Sequence, residues 1–257
     1  MQRIFITGAS SGIGAALAKE YARQGAILGL VARRRDALEA LRLTLDHAGR
    51  HHLYVLDVTD HAALRQAAEE FLTAVGGIDV VIANAGISLG TLTEYAEDIP
   101  VFERIISTNV TAMAATFHPF IAAMKAHPRP QDCRLVGIAS VAGIRGLPGS
   151  AAYSASKAAV ISYCESLRVE LRASDIKVVT IAPGYIDTPM TQVNHHHMPF
   201  LMPAQKFAAR ALVTITAGVS YRVIPWQMGL VAKLLRMMPN RVFDFIFARA
   251  PRKKRHF

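Results

Sequence analysis

Tyr153-Ser154-Ala155-Ser156-Lys157 sets a phenol and an ammonium four residues apart, hence on one face of a helix and within reach of each other. A phenol that titrates near 10 is a poor base at neutral pH, and a neighbouring positive charge stabilises its phenolate and lowers that value. Ser140 precedes Tyr153 at the end of a β-branched run. Its hydroxyl is able to polarise a carbonyl oxygen where negative charge develops. Together the three residues suit proton transfer at a carbonyl or hydroxyl group. Taken singly, an exposed Tyr/Lys helix pair and a strand-capping serine are equally good readings.

Such a set needs a scaffold that brings distant segments together. Short β-branched runs alternate with helical patterns along most of the chain, the signature of a parallel sheet covered by helices on both faces. Strands are expected at Arg3–Thr7, Ala26–Ala32, His52–Asp57, Val80–Ala83, Arg134–Ala139 and Lys177–Ile181. Helices are expected at Gly12–Arg23, Arg35–His47, His61–Val75, Phe102–Ala126 and Ala152–Ala173. Gly184 to Pro203 reads as a long loop, and from Val219 onward short apolar helices are broken by Pro225, Pro239 and Pro251.

Thr7-Gly8-Ala9-Ser10-Ser11-Gly12-Ile13-Gly14 follows the first strand and opens the first helix. Glycines there allow a tight turn, close backbone approach to a pyrophosphate, and close helix–strand contact. The helix N-terminus adds unpaired N–H groups and a positive dipole. Three glycines also occur as plain turn chemistry, but their place at the start of a βαβ unit favours a dinucleotide. Gly8, Ser10, Ser11, Gly12, Ile13 and Gly14 are therefore the expected phosphate-loop contacts.

The spacing Gly-x-x-x-Gly-x-Gly differs from the common dinucleotide fingerprint and resembles that of the short-chain dehydrogenase/reductase family. Further motifs in the same order extend the resemblance over Arg3 to Pro189, nearly three-quarters of the chain. It implies a doubly wound α/β Rossmann fold with a seven-stranded parallel sheet, an NADP-binding catalytic domain over residues 1–218, and a C-terminal helical lid with a basic tail over 219–257. By the resemblance, Asp57 and Val58 contact adenine, Asn84-Ala85-Gly86 floors the cofactor site, and Pro183-Gly184-Tyr185-Ile186-Asp187-Thr188 clasps the nicotinamide carboxamide through Ile186 and Thr188. Tyr153 and Lys157 also touch the cofactor, Lys157 through the ribose. Asn109 joins Ser140, Tyr153 and Lys157 as a fourth catalytic member, holding a water that links the lysine to solvent. No metal is expected. Ala139, where many relatives carry a second serine, is a small departure.

A carboxylate about 20 residues after the glycines selects NAD, whereas an arginine there suits the 2′-phosphate of NADP. The second strand ends Val31-Ala32-Arg33-Arg34-Arg35. Ala32 stands where NAD-selective relatives carry Asp, and along the chain no carboxylate follows until Asp36. NADP is thus expected, with Arg33 and Arg34 carrying the selectivity. Ser11 stands where some NADP users have a basic residue. The expected reaction is reduction of a ketone or aldehyde, with Tyr153 protonating the carbonyl oxygen. Met198, Phe200, Leu201, Met202 and Trp226 suggest a lipophilic substrate. The rival readings are an NADP(H)-binding regulatory protein without chemistry and a membrane-surface interaction protein. Intact Asn109, Ser140, Tyr153 and Lys157 argue against a pure binder.

Bulk properties set bounds. The chain has 257 residues, a mean hydropathy of +0.26 and a net charge of +10. Most of that charge lies beyond Gly218, where nine Lys and Arg face the single acid Asp244. This apolar, basic tail suits either a pocket seal or subunit interface, or a peripheral contact with anionic lipid. No groove-reading motif accompanies the basicity, so nucleic acid is not an expected partner. Cys133 and Cys164 fit no metal or redox spacing and suit a reducing compartment. The N-terminus runs straight into a strand pattern, and no stretch offers the ~18 apolar residues of a spanning helix. The expectation is a cytoplasmic homodimer or homotetramer, with a peripheral membrane contact as the second reading of the tail. His195-His196-His197 reads as a polar loop rather than a metal site.

Overall fold

The computed structural model describes residues 1–193, 198–248 and 255. The histidine run 195–197 and the basic residues 252–254 lie outside the described residues.

The six expected strands form as β1 (Arg3–Thr7), β2 (Ile27–Ala32), β3 (His52–Val55), β4 (Val80–Ala83), β5 (Arg134–Ile138) and β6 (Lys177–Pro183). Their side chains are almost wholly buried in β1, β2, β4 and β5, as a sheet covered on both faces requires. Two further short strands, β7 (Ile186–Asp187) and β8 (Met202–Pro203), pair with each other, and β9 (Tyr221–Ile224) completes the main sheet. Its order is β3-β2-β1-β4-β5-β6-β9, and every pairing is parallel. The order reverses direction beside β1, which places a crevice at the carboxyl ends of β1 and β4.

Helices α1 (Gly12–Arg23), α2 (Arg35–Leu43) and α3 (His61–Val75) follow the first three strands. The α3 ends show local causes. Asp60 accepts from the Ala63 amide at one end, and Gly76 takes a left-handed φ of 71° at the other, a conformation that costs glycine no Cβ clash. The helix expected over Phe102–Ala126 is divided into α4 (Ile99–Ile106), a wide π-turn (Ser107–Thr111) and α5 (Ala112–Lys125). It is followed by α6 (Ala151–Glu170), then a single turn α7 (Pro189–Gln192). The expected loop therefore contains α7 and the β7–β8 pair.

Helix α8 (Ala204–Thr216) was not expected; it buries Phe207, Ala208, Ala211, Leu212 and Ile215 against the α1 side of the sheet. On the other side, α3, α5 and α6 bury Phe71, Phe117, Phe120 and Val160 around Phe5, whose ring centroid is 4.8 Å from that of Phe120. The chain ends in α9 (Trp226–Met237) and α10 (Asn240–Phe247).

Candidate active site

One cavity of about 630 Å³ runs along the carboxyl ends of the strands. Every residue expected for cofactor or catalysis lines it except Gly14 and Asn109. Ile87, Leu89, Arg104, Thr108, Met190 and Thr191 line it as well, though sequence reasoning had not singled them out.

The glycine loop is held by the end of β4. Thr7, 1% exposed, accepts at its hydroxyl from the Asn84 and Ala85 amides at 3.1 and 3.2 Å. Asn84 Nδ2 donates to the carbonyls of Thr7 and Gly8 at 3.0 and 3.2 Å. Asn84 therefore shapes the loop as well as flooring the cavity. Gly14 sits behind it, where a Cβ would overlap the Gly8 carbonyl oxygen and lie 2.7 Å from Asn84 Nδ2.

The residues present fit a dinucleotide on two counts. The N-cap Ser11 makes no side-chain cap and the first turn of α1 holds no acid, so its amides are free for an anion. Gly12 has a φ of +54°, and a Cβ there would stand 3.1 Å from Thr188 Cγ2, closing the gap between the loop and the Thr188 segment. Thr188 itself makes a capping box with Thr191 at the start of α7, which fixes that wall.

At the far end, Arg33 lies 3.7 Å from Asp57. Along the chain no carboxylate follows Arg33 until Asp36. The fold supplies one, because β2 and β3 are parallel neighbours with Ala32 opposite Val55. Burial alone would raise the Asp57 pKa, but hydrogen bonds from the Thr59 amide and hydroxyl and the Arg33 charge hold it below its ordinary value.

Ser140 and Tyr153 face each other in the middle. The Ser140 Oγ accepts from the Ala142 amide at 3.1 Å, leaving its own O–H to donate. Burial pushes the Tyr153 phenol up, and the hydrogen bond from Ser140 pulls it the other way. The expected lowering by Lys157 is not what the geometry gives. Lys157 is 5% exposed, its Nζ donates to the Ile138 carbonyl at 2.8 Å, and it stands 5.9 Å from the Tyr153 ring centroid. Desolvation pushes the lysine down to about 8.

Asn109 is fully buried in the π-turn, outside the cavity lining. Its Oδ1 accepts from the Ile87 amide at 2.8 Å, and its Nδ2 donates to the Ile87 carbonyl and to Ser156 Oγ at 3.0 and 2.9 Å. Ser156 in turn donates to the Tyr153 carbonyl at 2.7 Å. Asn109 thus ties the segment following Gly86 to the catalytic helix, with Ser156 as an unforeseen intermediary. None of the five residues expected to offer an apolar substrate wall does so. Met198, Phe200 and Leu201 do not line the cavity, the last two being 51 and 46% exposed. Met202 is 6% exposed in the core and Trp226 is 60% exposed, and neither lines the cavity.

A sequence model of the short chain dehydrogenase family matches residues 2–199. The chain belongs to the short-chain dehydrogenases. Among relatives of this short-chain dehydrogenase, an uncharacterized oxidoreductase of Myxococcus xanthus is 40% identical over 93% of both chains. An 11-beta-hydroxysteroid dehydrogenase-like protein of Arabidopsis thaliana is 36% identical over 95% of this chain and 81% of its own. The crystal structure of 3-ketoacyl-(acyl-carrier-protein) reductase from Brucella melitensis complexed with NADH superposes with a TM-score of 0.79 at 26% identity, over 87% of this chain and 96% of that one. The short-chain dehydrogenase is accordingly an oxidoreductase that uses a nicotinamide cofactor and acts on CH–OH or C=O groups.

Proposed function

We propose that this short-chain dehydrogenase reduces a lipophilic ketone or aldehyde with NADPH. The convergence of Ser140, Tyr153 and Lys157 on the cavity that also contains the glycine loop and Arg33 carries the reading. When bound, the nicotinamide supplies the hydride. Ser140 donates to the carbonyl oxygen as charge builds there, and Tyr153, kept protonated by its burial, delivers the proton to that same oxygen. Lys157, still largely an ammonium at neutral pH with a pKa of about 8, holds the nicotinamide ribose. Asn109, through Ile87 and Ser156, keeps the segment after Gly86 and the Tyr153 turn in register, and a water beside it would connect Lys157 to solvent.

Arg33 and Arg34, directly after β2 and with Ala32 leaving no carboxylate at its end, support NADP over NAD. Ile87, Leu89, Ile186 and Met190 supply apolar lining, which supports a lipophilic substrate, and the hydroxysteroid dehydrogenase-like relative agrees with it. Residues 1–218 are the proposed catalytic domain and 219–257 its C-terminal extension, of which β9 joins the main sheet and α9 and α10 follow. The edge strand β9, with Tyr221 and Arg222 exposed, offers an unpaired sheet edge to a second copy, in keeping with a homodimer or homotetramer. Cys133 and Cys164, both buried free thiols, suit a reducing cytoplasmic setting.

The test is a screen of ketones and aldehydes with NADPH, followed at the nicotinamide absorbance. On any substrate found, Tyr153→Phe should lower turnover on the order of 100-fold or more and leave NADPH affinity nearly unchanged. A variant with near-full activity overturns the assignment.

A further inference from the structure

Helix α9 has two unlike faces. Its inner face buries Met228 and Ala232, and Met228 packs so closely on the cavity wall that a Cβ on Gly184 would stand 2.7 Å from its Cγ. Its outer face carries Trp226, Leu230, Leu234 and Met237, which helical spacing stacks in one stripe. They are 60, 60, 64 and 75% exposed. Helix α10 repeats the arrangement. Phe243 is buried beneath the Arg145 guanidinium, 3.9 Å from its ring centroid, while Val242, Phe245 and Ile246 are 47, 86 and 52% exposed. Apolar surface gathered in this way, in place of single scattered residues, marks an interaction site.

Lys233, Arg236 and Arg241 are exposed along these two helices, and Asp244 is their one acid. Among the described residues no helix is long and apolar enough to cross a membrane.

We propose that the outer face of α9 and α10 seats the enzyme on the surface of an anionic lipid bilayer. The helices lie in the headgroup plane with their apolar stripes inserted and the three cations at the phosphates. Charge selects this occupant. A second copy would bring the same three cations against their own counterparts, with only Asp244 to answer them, and like charges across an interface are costly. Tryptophan at the edge of the stripe suits the interfacial zone. Because the inner face of α9 packs on the Gly184 wall, lipid headgroups would stand about one helix diameter, ~10 Å, from the cavity. The docking does not depend on which substrate or cofactor the cavity takes.

Trp226 is the only tryptophan in the chain, so its emission reports this face alone. Full-length protein titrated with vesicles of phosphatidylglycerol in phosphatidylcholine should show a blue shift and protection from acrylamide. Both should grow with the phosphatidylglycerol fraction and fade as salt screens the cations. Leu234→Glu and Phe245→Glu, at sites where folding is not at stake, should each lower the vesicle-bound fraction by about tenfold or more. Their circular dichroism and dinucleotide binding should match the parent. Emission that ignores anionic vesicles at low salt overturns the proposal. So does a shift that follows protein concentration without lipid, which would assign the face to a second copy, or equal binding to pure phosphatidylcholine.

Discussion

Replacing Arg33 by Leu isolates the proposed 2′-phosphate contact from the rest of the cavity. Two effects compete at this residue. Its pairing with Asp57 is long, at 3.7 Å, and the two side chains are 70 and 44% exposed. Exposed pairs of that kind are worth roughly 0–1 kcal/mol, so the carboxylate holds the guanidinium only weakly. A charge-assisted hydrogen bond to a phosphate is worth about 1.5–3 kcal/mol. The phosphate should therefore win the arginine from Asp57. Arg33→Leu should weaken NADPH binding by about 10- to 150-fold, at ~1.4 kcal/mol per decade, and leave NADH binding within about threefold. Asp57→Asn gives the opposite sign for NADPH, since it removes a competitor and a repelling charge; the gain should not exceed about fivefold, the equivalent of ~1 kcal/mol. Dissociation constants for both dinucleotides, measured by nicotinamide fluorescence at two ionic strengths, decide the matter. A parent protein that binds NADH as tightly as NADPH, or an Arg33→Leu variant with an unchanged ratio, refutes the reasoning.

Ser156→Ala should destabilise the fold by about 1–3 kcal/mol, because the fully buried Asn109 Nδ2 loses one of its two protein acceptors; chemical denaturation reads this directly. Lys157 has a folded pKa of about 8 against an ordinary value of 10.5. Between those values the unfolded chain binds more protons than the folded one, so the burial cost is full below about 8 and is relieved as pH rises. Stability contributed by this residue should rise from pH 8 toward 10.5, and Lys157→Met should flatten that part of a plot of denaturation midpoint against pH. A parent and variant with parallel curves would contradict the burial argument.

Elements with strong local punctuation were legible in the sequence. Strand β1, helix α1, helix α3 and strand β4 have the expected bounds, and α3 shows why, with Asp60 capping one end and Gly76 stopping the other. The cavity was legible for the same reason, since most of its residues sit at strand ends where the alternation breaks. Features decided by distant contacts were not. The π-turn at Ser107–Thr111 depends on where the buried Asn109 amide finds Ile87 and Ser156, partners more than twenty residues away in each direction. The Arg33–Asp57 pair depends on the β2–β3 register, and the Lys157 environment on the Ile138 carbonyl. Strand β9, Tyr-Arg-Val-Ile, is too short and too exposed to announce itself. Helix α8 does carry a helical pattern of Phe207, Ala208, Ala211, Leu212 and Ile215, but it follows directly on a proline-bounded segment read as loop.

Arg145 follows the short turn after Ser140, and its Nη1 donates to the carbonyls of Leu235 and Met238 while Nη2 donates to Asn240 Oδ1 at 3.1 Å. Two of these three acceptors are main-chain oxygens, which any residue at the end of α9 provides. The grip on the Ser140 turn is thus largely indifferent to which side chains α9 displays. Mutational drift on that helix can rewrite what the protein presents to its surroundings while the serine stays where it is, so the surroundings and the chemistry of this enzyme are free to diversify separately.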